Sequence, residues 1–533
     1  MIFSFLFGNG KYTIQTDTAK KIEAGILLHG SQVNISLPIP VQSFYRHGWQ
    51  SWSLAAWMPV DFHLPVQKPA ILHPLQIDPL YARHPAPNGS WVGAVRFKDG
   101  NVLLLGALGL DAHVALHNDE LHGWYEGSDG EWLVTYGQEM KAFRRYASLL
   151  EERLGSAPGK PSPRVWCSWY SLYTEIDEGR LYKIVDDLGN LPFDVLQVDD
   201  GWQLAIGDWE SNNKFPEGID AVAEKIKATG RQAGLWVAPL IAVKSSRLFR
   251  EHPGWFLKDM EGQFVSAGFN WGEALYALDI THPDVLDWLA RLMKQIREWG
   301  FDYIKLDFLY AGALPGLRYT DMPRESAYRQ GVKALRDAMG QDAYFLACGA
   351  PILPTIGFCD AIRVGPDIAN FWESYCDSVM LFNPSTPGAK NAIRTSVNRL
   401  WLSPLCATDP DVVYFRSQNN SLDTDQKRML QDLAVVCNVK ATSDLPGWLS
   451  ADEKKALHDF LEFKPQVKQL DRYSFLLEDR LVDFSTATTF SEPLHGFKGY
   501  MSALIGWIGS QPWIMWWLYK RRQRILDKLT KKV

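Results

Sequence analysis

YIKLDFLYAGA, residues 303–313, decides how the chain is read. Tyr303, Ile304, Leu306 and Phe308 make an apolar strand with Lys305 and Asp307 set into it, and side chains two apart on a strand share a face. Two charges on one face of an apolar strand must be paired or used. The run then breaks into Ala311, Gly312 and Ala313, as a strand does on entering a loop. An acid at the carboxyl end of a buried parallel strand reads as catalytic in a barrel enzyme. A structural ion pair is the competing reading of this segment, and the rest of the chain weighs between them.

The 533 residues suffice for a barrel with additions. A net charge of −6 with an ordinary charged fraction gives no basic face for nucleic acid. The 22 tryptophans and 20 tyrosines, many beside Gly, Asp and Asn, suit a carbohydrate ligand, since aromatic faces stack on sugar C–H faces; core filling is the plainer account. Six scattered cysteines form no C-x-x-C pair, so neither zinc nor a disulfide framework is expected. MIFSFLF at the start lacks a basic n-region, which makes the cytoplasm the expected compartment.

Outward from the quoted stretch, two rhythms divide the chain. Residues 1–155 carry short alternating or apolar runs broken by Gly, Pro, Asn and Asp, the pattern of an antiparallel β-sandwich, with a helix at 142–154. Residues 156–163 read as a linker. From Arg164 strands alternate with helices: VWCSWY, FDVLQVDDGW, AGLWVAPL, the quoted stretch, AYFLACGAP, AIRVGPD, PDVVYF (410–415) and VKATSDL. Eight such units over 164–448 predict a (β/α)₈ barrel. Its strand ends repeatedly carry polar or reactive residues: Trp169, Asp199, Asp200, Trp236, Asp307, Cys348, Asp367 and Asp444. Residues 449–498 are read as a helix and a β-hairpin (472–485). Residues 499–533 combine the nearly uncharged MSALIGWIGSQPWIMWWLY with a basic tail. That segment suits a membrane interface or packing on the barrel.

The central region resembles the α-galactosidases of glycoside hydrolase family 36. WQSW (49–52), WCSWY (166–170), VDDGW (198–202), IGDW (206–209), LWVAP (235–239), KLDFLYAGA (305–313), CGAP (348–351) and RVGPD (363–367) run in that family's order, over about 44–444. The resemblance implies an N-terminal β-supersandwich, a (β/α)₈ TIM barrel and a short C-terminal β region. It also implies Asp307 as nucleophile and Asp367 as acid/base of a retaining α-glycosidase, with no cofactor or metal. Lys305 is expected to hold Asp307 ionised. Arg363 is expected to bind a sugar hydroxyl or Asp307 rather than Asp367, where a direct contact would weaken the acid role. By the same resemblance Asp199, Asp200, Trp202, Trp236, Lys305, Cys348, Arg363, Trp49 and Trp52 contact the sugar, Trp236 by stacking and Lys305 by donating to a ring hydroxyl.

Gly48 stands where the family carries Asn or Asp, SPLCATDPD (403–411) reads as an insertion, and the apolar, basic tail is foreign to the family. The expected activity is exo-acting hydrolysis of terminal α-galactosides, with a small sugar as partner. Transfer to a sugar acceptor and α-N-acetylgalactosaminidase activity share the mechanism, and a non-catalytic, membrane-associated sugar binder is the reading of another class. A homo-oligomer is compatible with the sequence.

Overall fold

The computed structural model describes residues 1–521 apart from 9, 61–69, 157–158, 375–382, 491–495, 510, 512, 515 and 518. Cys376 and the basic tail beyond Arg521 therefore lie outside the described residues. Between residues 2 and 137 two antiparallel sheets form, one of six strands and one of seven. Alternation builds them: in Gly10–Gln15 Tyr12 and Ile14 are buried and Lys11 and Thr13 exposed, so each strand gives one face to a core. The strand Val102–Ala107 is buried along its whole length.

Eight parallel strands follow, β1 Arg164–Cys167, β2 Val195–Val198, β3 Gln232–Val237, β4 Phe301–Leu306, β5 Tyr344–Ala347, β6 Ala361–Arg363, β7 Ala407–Asp409 and β8 Lys440–Thr442. Their order is β7-β6-β5-β4-β3-β2-β1-β8, sequential but for β8, which lies beside β1 as in a barrel wound once round. Just after β7, Val413 makes a parallel bridge to Thr442 of β8, which joins the two ends. Amphipathic helices cover the strands. Pro283–Glu298 starts with Pro283 at its first position, where a missing N–H costs nothing, and buries Val285, Leu289, Leu292, Met293 and Ile296.

The seventh strand is not at 410–415. Pro410 lacks an N–H and Asp411 turns the chain at φ 83°, so the strand forms just before them and only Val413 rejoins the ladder. The run read as an insertion thus holds β7. The predicted hairpin at 472–485 is present as Ser474–Leu477 and Arg480–Asp483, and Val467–Gln469 adds a third strand. The helix in the apolar tail, Gly496–Gly509, has 14 residues, about 21 Å at 1.5 Å per residue against a hydrocarbon core of about 30 Å. No helix among the described residues is long and apolar enough to cross a membrane.

Candidate active site

Asp307 follows directly on β4 and is buried. The β3–β4 register sets Trp236 beside Lys305, and the Asp307 N–H donates to Val237 O at 2.8 Å. Two donors fix the carboxylate: Trp236 Nε1 to Oδ2 at 2.9 Å and the Phe308 N–H to Oδ1 at 2.8 Å. Phe308 makes that bond from a left-handed backbone, φ 53°, a strain of about 1–3 kcal/mol for a non-glycine residue. Trp271 (φ 51°) and Asp411 are left-handed too, so three strained residues ring this one site.

Lys305 does not pair with Asp307 as expected. Its Nζ donates to Asp199 Oδ2 at 2.9 Å, because a long side chain pointing into the barrel reaches across to the end of β2. Burial opposes the ammonium charge, but Asp199 together with Cys348, Asp307 and Cys167 outweighs it, raising the Lys305 pKa well above its ordinary value. Asp199 Oδ2 also accepts from Gln197 Nε2 at 2.6 Å, and Oδ1 accepts the Asp200 N–H at 2.9 Å. Asp200 Oδ1 accepts from Gln203 Nε2 at 2.6 Å and Oδ2 from Trp271 Nε1 at 2.7 Å. Burial outweighs those bonds and pushes Asp200 up to about 6.

Asp367 follows β6, and its side chain is 35% exposed while that of Arg363 is 4%. Contrary to expectation, Arg363 touches it: Nη1 lies 3.3 Å from Asp367 Oδ1. The guanidinium is shared, however, with Asp409 Oδ2 and Asp411 Oδ2, each at 2.8 Å. Two acids against one Arg leave Asp367 facing a neutralised cation. Burial first, then the Asp411 carboxylate, push Asp367 up to about 7; Arg363 pulls down without undoing this, and Asp307 adds to the rise. Asp411 is itself held by the Tyr170 hydroxyl and the Ile368 N–H. Cys348 is buried, and burial and then Asp307 raise its thiol well above its ordinary value, keeping it neutral.

The tryptophans divide. Trp236 is almost fully buried and aims Asp307, so it is not the open stacking face expected. Trp202 is fully buried, packs on Trp209 and Trp299, and donates to Trp236 O at 3.0 Å; it braces Trp236 from behind. Trp49 is a junction residue, its Nε1 donating to Glu325 Oε1 at 2.9 Å with Arg324 over its ring. Trp52 does reach the site, edge-on to Phe308 and Tyr310 with centroids 5.2 and 5.9 Å away. Asp444 instead receives the Phe415 N–H at 2.6 Å and lies 3.5 Å from Arg416.

Sequence reading overlooked Trp271, Gln203, Asp409, Asp411 and Arg399. Trp271 tops the hairpin Ser266–Asn270/Glu273–Ala277, and its Asn-Trp-Gly turn was the available signal. TDPD signalled Asp409 and Asp411. Arg399, fully buried, donates to the carbonyls of Gly48, Gln50, Ser51, Ser53 and Val364. It ties the WQSW loop to the segment that leads to Asp367. Gly48 is required there: a Cβ would lie 2.5 Å from Ser53 Cβ and 2.6 Å from Leu54 O.

The melibiase family description matches residues 132–339. An α-galactosidase from Thermus thermophilus, TtGalA, solved with p-nitrophenyl α-D-galactopyranoside, is 42% identical over 91% of this chain and 100% of its own, with a TM-score of 0.87. Alpha-galactosidase AgaA of Geobacillus stearothermophilus is 28% identical over 201 residues, 34% of this chain. That match spans 26% of AgaA's length. The crystal structure of AgaA, a GH36 α-galactosidase, shares the fold at 15% identity, TM-score 0.56, over 85% of this chain and 67% of its own. By its 42% identity to the whole of the Thermus chain, the protein belongs to the α-galactosidase family.

Proposed function

We propose that the protein hydrolyses terminal α-galactosides with retention, Asp307 acting as nucleophile and Asp367 as acid/base. The observation that carries this reading is the contrast between two neighbouring carboxyls. Asp307 accepts two hydrogen bonds that suit a carboxylate, while Asp367 is pushed up to about 7 and holds a proton near neutrality. In the first step Asp307 attacks the anomeric carbon, the glycosidic C–O bond breaks, and the Asp367 proton goes to the leaving oxygen. In the second, Asp367 takes a proton from water, the water oxygen bonds the anomeric carbon, and Asp307 leaves.

Asp199, Asp200 and Lys305 fit hydrogen bonds to sugar hydroxyls, Cys348 and Arg363 line the same group of acids, and Trp52 and Trp271 offer ring surface beside Asp307 and Asp200. Under this reading residues 1–155, 164–448 and 449–498 are sandwich, catalytic barrel and C-terminal β region. Following the anomer of freshly released galactose by proton NMR tests it: α-galactose appearing first supports retention, and β-galactose first overturns it. Contact of the tail with a membrane surface is a separate proposal, supported by exposed Trp507, Trp513, Trp516 and Trp517. Truncation after Tyr500 should abolish sedimentation with liposomes and leave hydrolysis intact; unchanged sedimentation removes that proposal.

A further inference from the structure

A pocket lined by neither Asp307 nor Asp367 lies where the strand Ser43–Arg46 and the loop after it meet segment 73–90. It is a cavity of about 260 Å³ whose lining includes Arg46, His47, Asp78, Tyr81, Arg83 and Ser385. That volume is near the lower end of ordinary small-molecule pockets, about 300 Å³.

Its charge is unbalanced. Arg46 is half-buried and Arg83 exposed, and neither guanidinium makes an ion pair or a hydrogen bond with a described residue. Burial alone pulls Arg46 down to about 10, the sign of a cation lacking a counter-charge. The one acid in the described lining, Asp78, is already spent: Arg324 holds both its oxygens, at 3.1 and 2.5 Å. Asp78, His113 and Glu126 have the residue types of a metal site, but the same guanidinium stands among them, 2.7 Å from Glu126.

Two lining side chains also hold buried polar atoms without a partner, His47 Nε2 and Ser385 Oγ. Burial keeps His47 neutral, well below its ordinary pKa. Its Nδ1 lies 3.3 Å from Ser90 O; a carbonyl only accepts, so Nδ1 carries the proton and Nε2 is left as an acceptor needing a donor.

We propose that this cavity binds a small hydroxylated oxyanion, a carboxylate or phosphate on a sugar-sized molecule, with Arg46 and Arg83 taking the charge and His47 and Ser385 facing its hydroxyls. Arginine suits such oxyanions because its planar fork donates in pairs. The proposal stands independently of the catalytic assignment.

Isothermal calorimetry on the full chain tests it, with inorganic phosphate, glucuronate and neutral glucose as probes. One or both anions should bind one to one at millimolar concentration or below, and which one binds distinguishes phosphate from carboxylate. Glucose should not bind there. Arg46→Gln and Arg83→Gln should each weaken the anion, Arg46→Gln by at least about tenfold, with aryl α-galactoside hydrolysis unchanged. If Arg46→Gln does not fold, the exposed Arg83→Gln and the ionic-strength dependence of binding decide. Absence of anion binding, equal binding of glucose, or equal affinity in every folded variant would overturn the proposal. So would competition with the aryl galactoside that is identical in wild type and variants, since that places the anion at the catalytic acids.

Discussion

The Trp236 indole N–H donates to Asp307 Oδ2 at 2.9 Å, and Trp202 donates in turn to the Trp236 carbonyl at 3.0 Å. Asp307 is therefore aimed from β3, by a ring locked from behind. Trp236→Phe keeps most of the packing and removes the donor. We expect kcat to fall about 10²-fold, with an unchanged thermal unfolding profile as the check on folding.

With Asp367 as the proposed acid, its proton should give the pH profile a basic limb. The acid must be protonated to act, so kcat/KM should fall as pH rises through about 7. Asp411 contributes to the raised value and also offsets Arg363. Asp411→Asn should therefore shift the limb to lower pH, whereas a limb that stays put would remove Asp411 from this role.

Lys305 and Asp199 are both buried and depend on one another. Lys305→Met leaves an uncompensated carboxylate in the barrel, a loss of about 3–5 kcal/mol, measurable by urea denaturation. Replacing both residues with apolar ones should recover much of that stability while leaving hydrolysis abolished.

A second pair of acids responds to pH at the junction of sandwich and barrel. Glu325 accepts from Trp49, Trp91 and the Asp111 N–H, and burial, then Asp111, push it up to about 8. The folded chain keeps a proton that the unfolded chain releases near its ordinary 4.5. Stability should accordingly decline as pH rises from about 4.5 to 8 and level off above. Melting temperatures of Glu325→Gln across that range should lose most of this slope.

Strand and helix rhythm announced the barrel because buried parallel strands leave apolar runs and each ends at the same rim. Asp307 and Asp367 stood at such ends, and the structure brings both to one rim. Less legible was which charges face each other. Lys305 and Asp307 are two apart, yet the amine crosses the barrel to Asp199, a pairing set by the closure of the sheet. Arg363 lies four residues from Asp367, yet its charge is divided by Asp409 and Asp411, which come from the next strand. Trp271 sits on a hairpin whose position depends on the whole excursion between β3 and β4. The predicted seventh strand failed for a local reason of which only half was visible, since the sequence shows Pro410 but not the positive φ of Asp411.

The assignment of Asp307 as nucleophile is tested most directly by Asp307→Gly with an aryl α-galactoside, with and without azide. The variant should lose several orders of magnitude in turnover, and azide should restore part of it by forming β-galactosyl azide, since the small anion attacks from the face the carboxylate has vacated. An Asp307→Gly enzyme that hydrolyses the substrate at near wild-type rate without azide, or that yields α-galactosyl azide, would contradict the account.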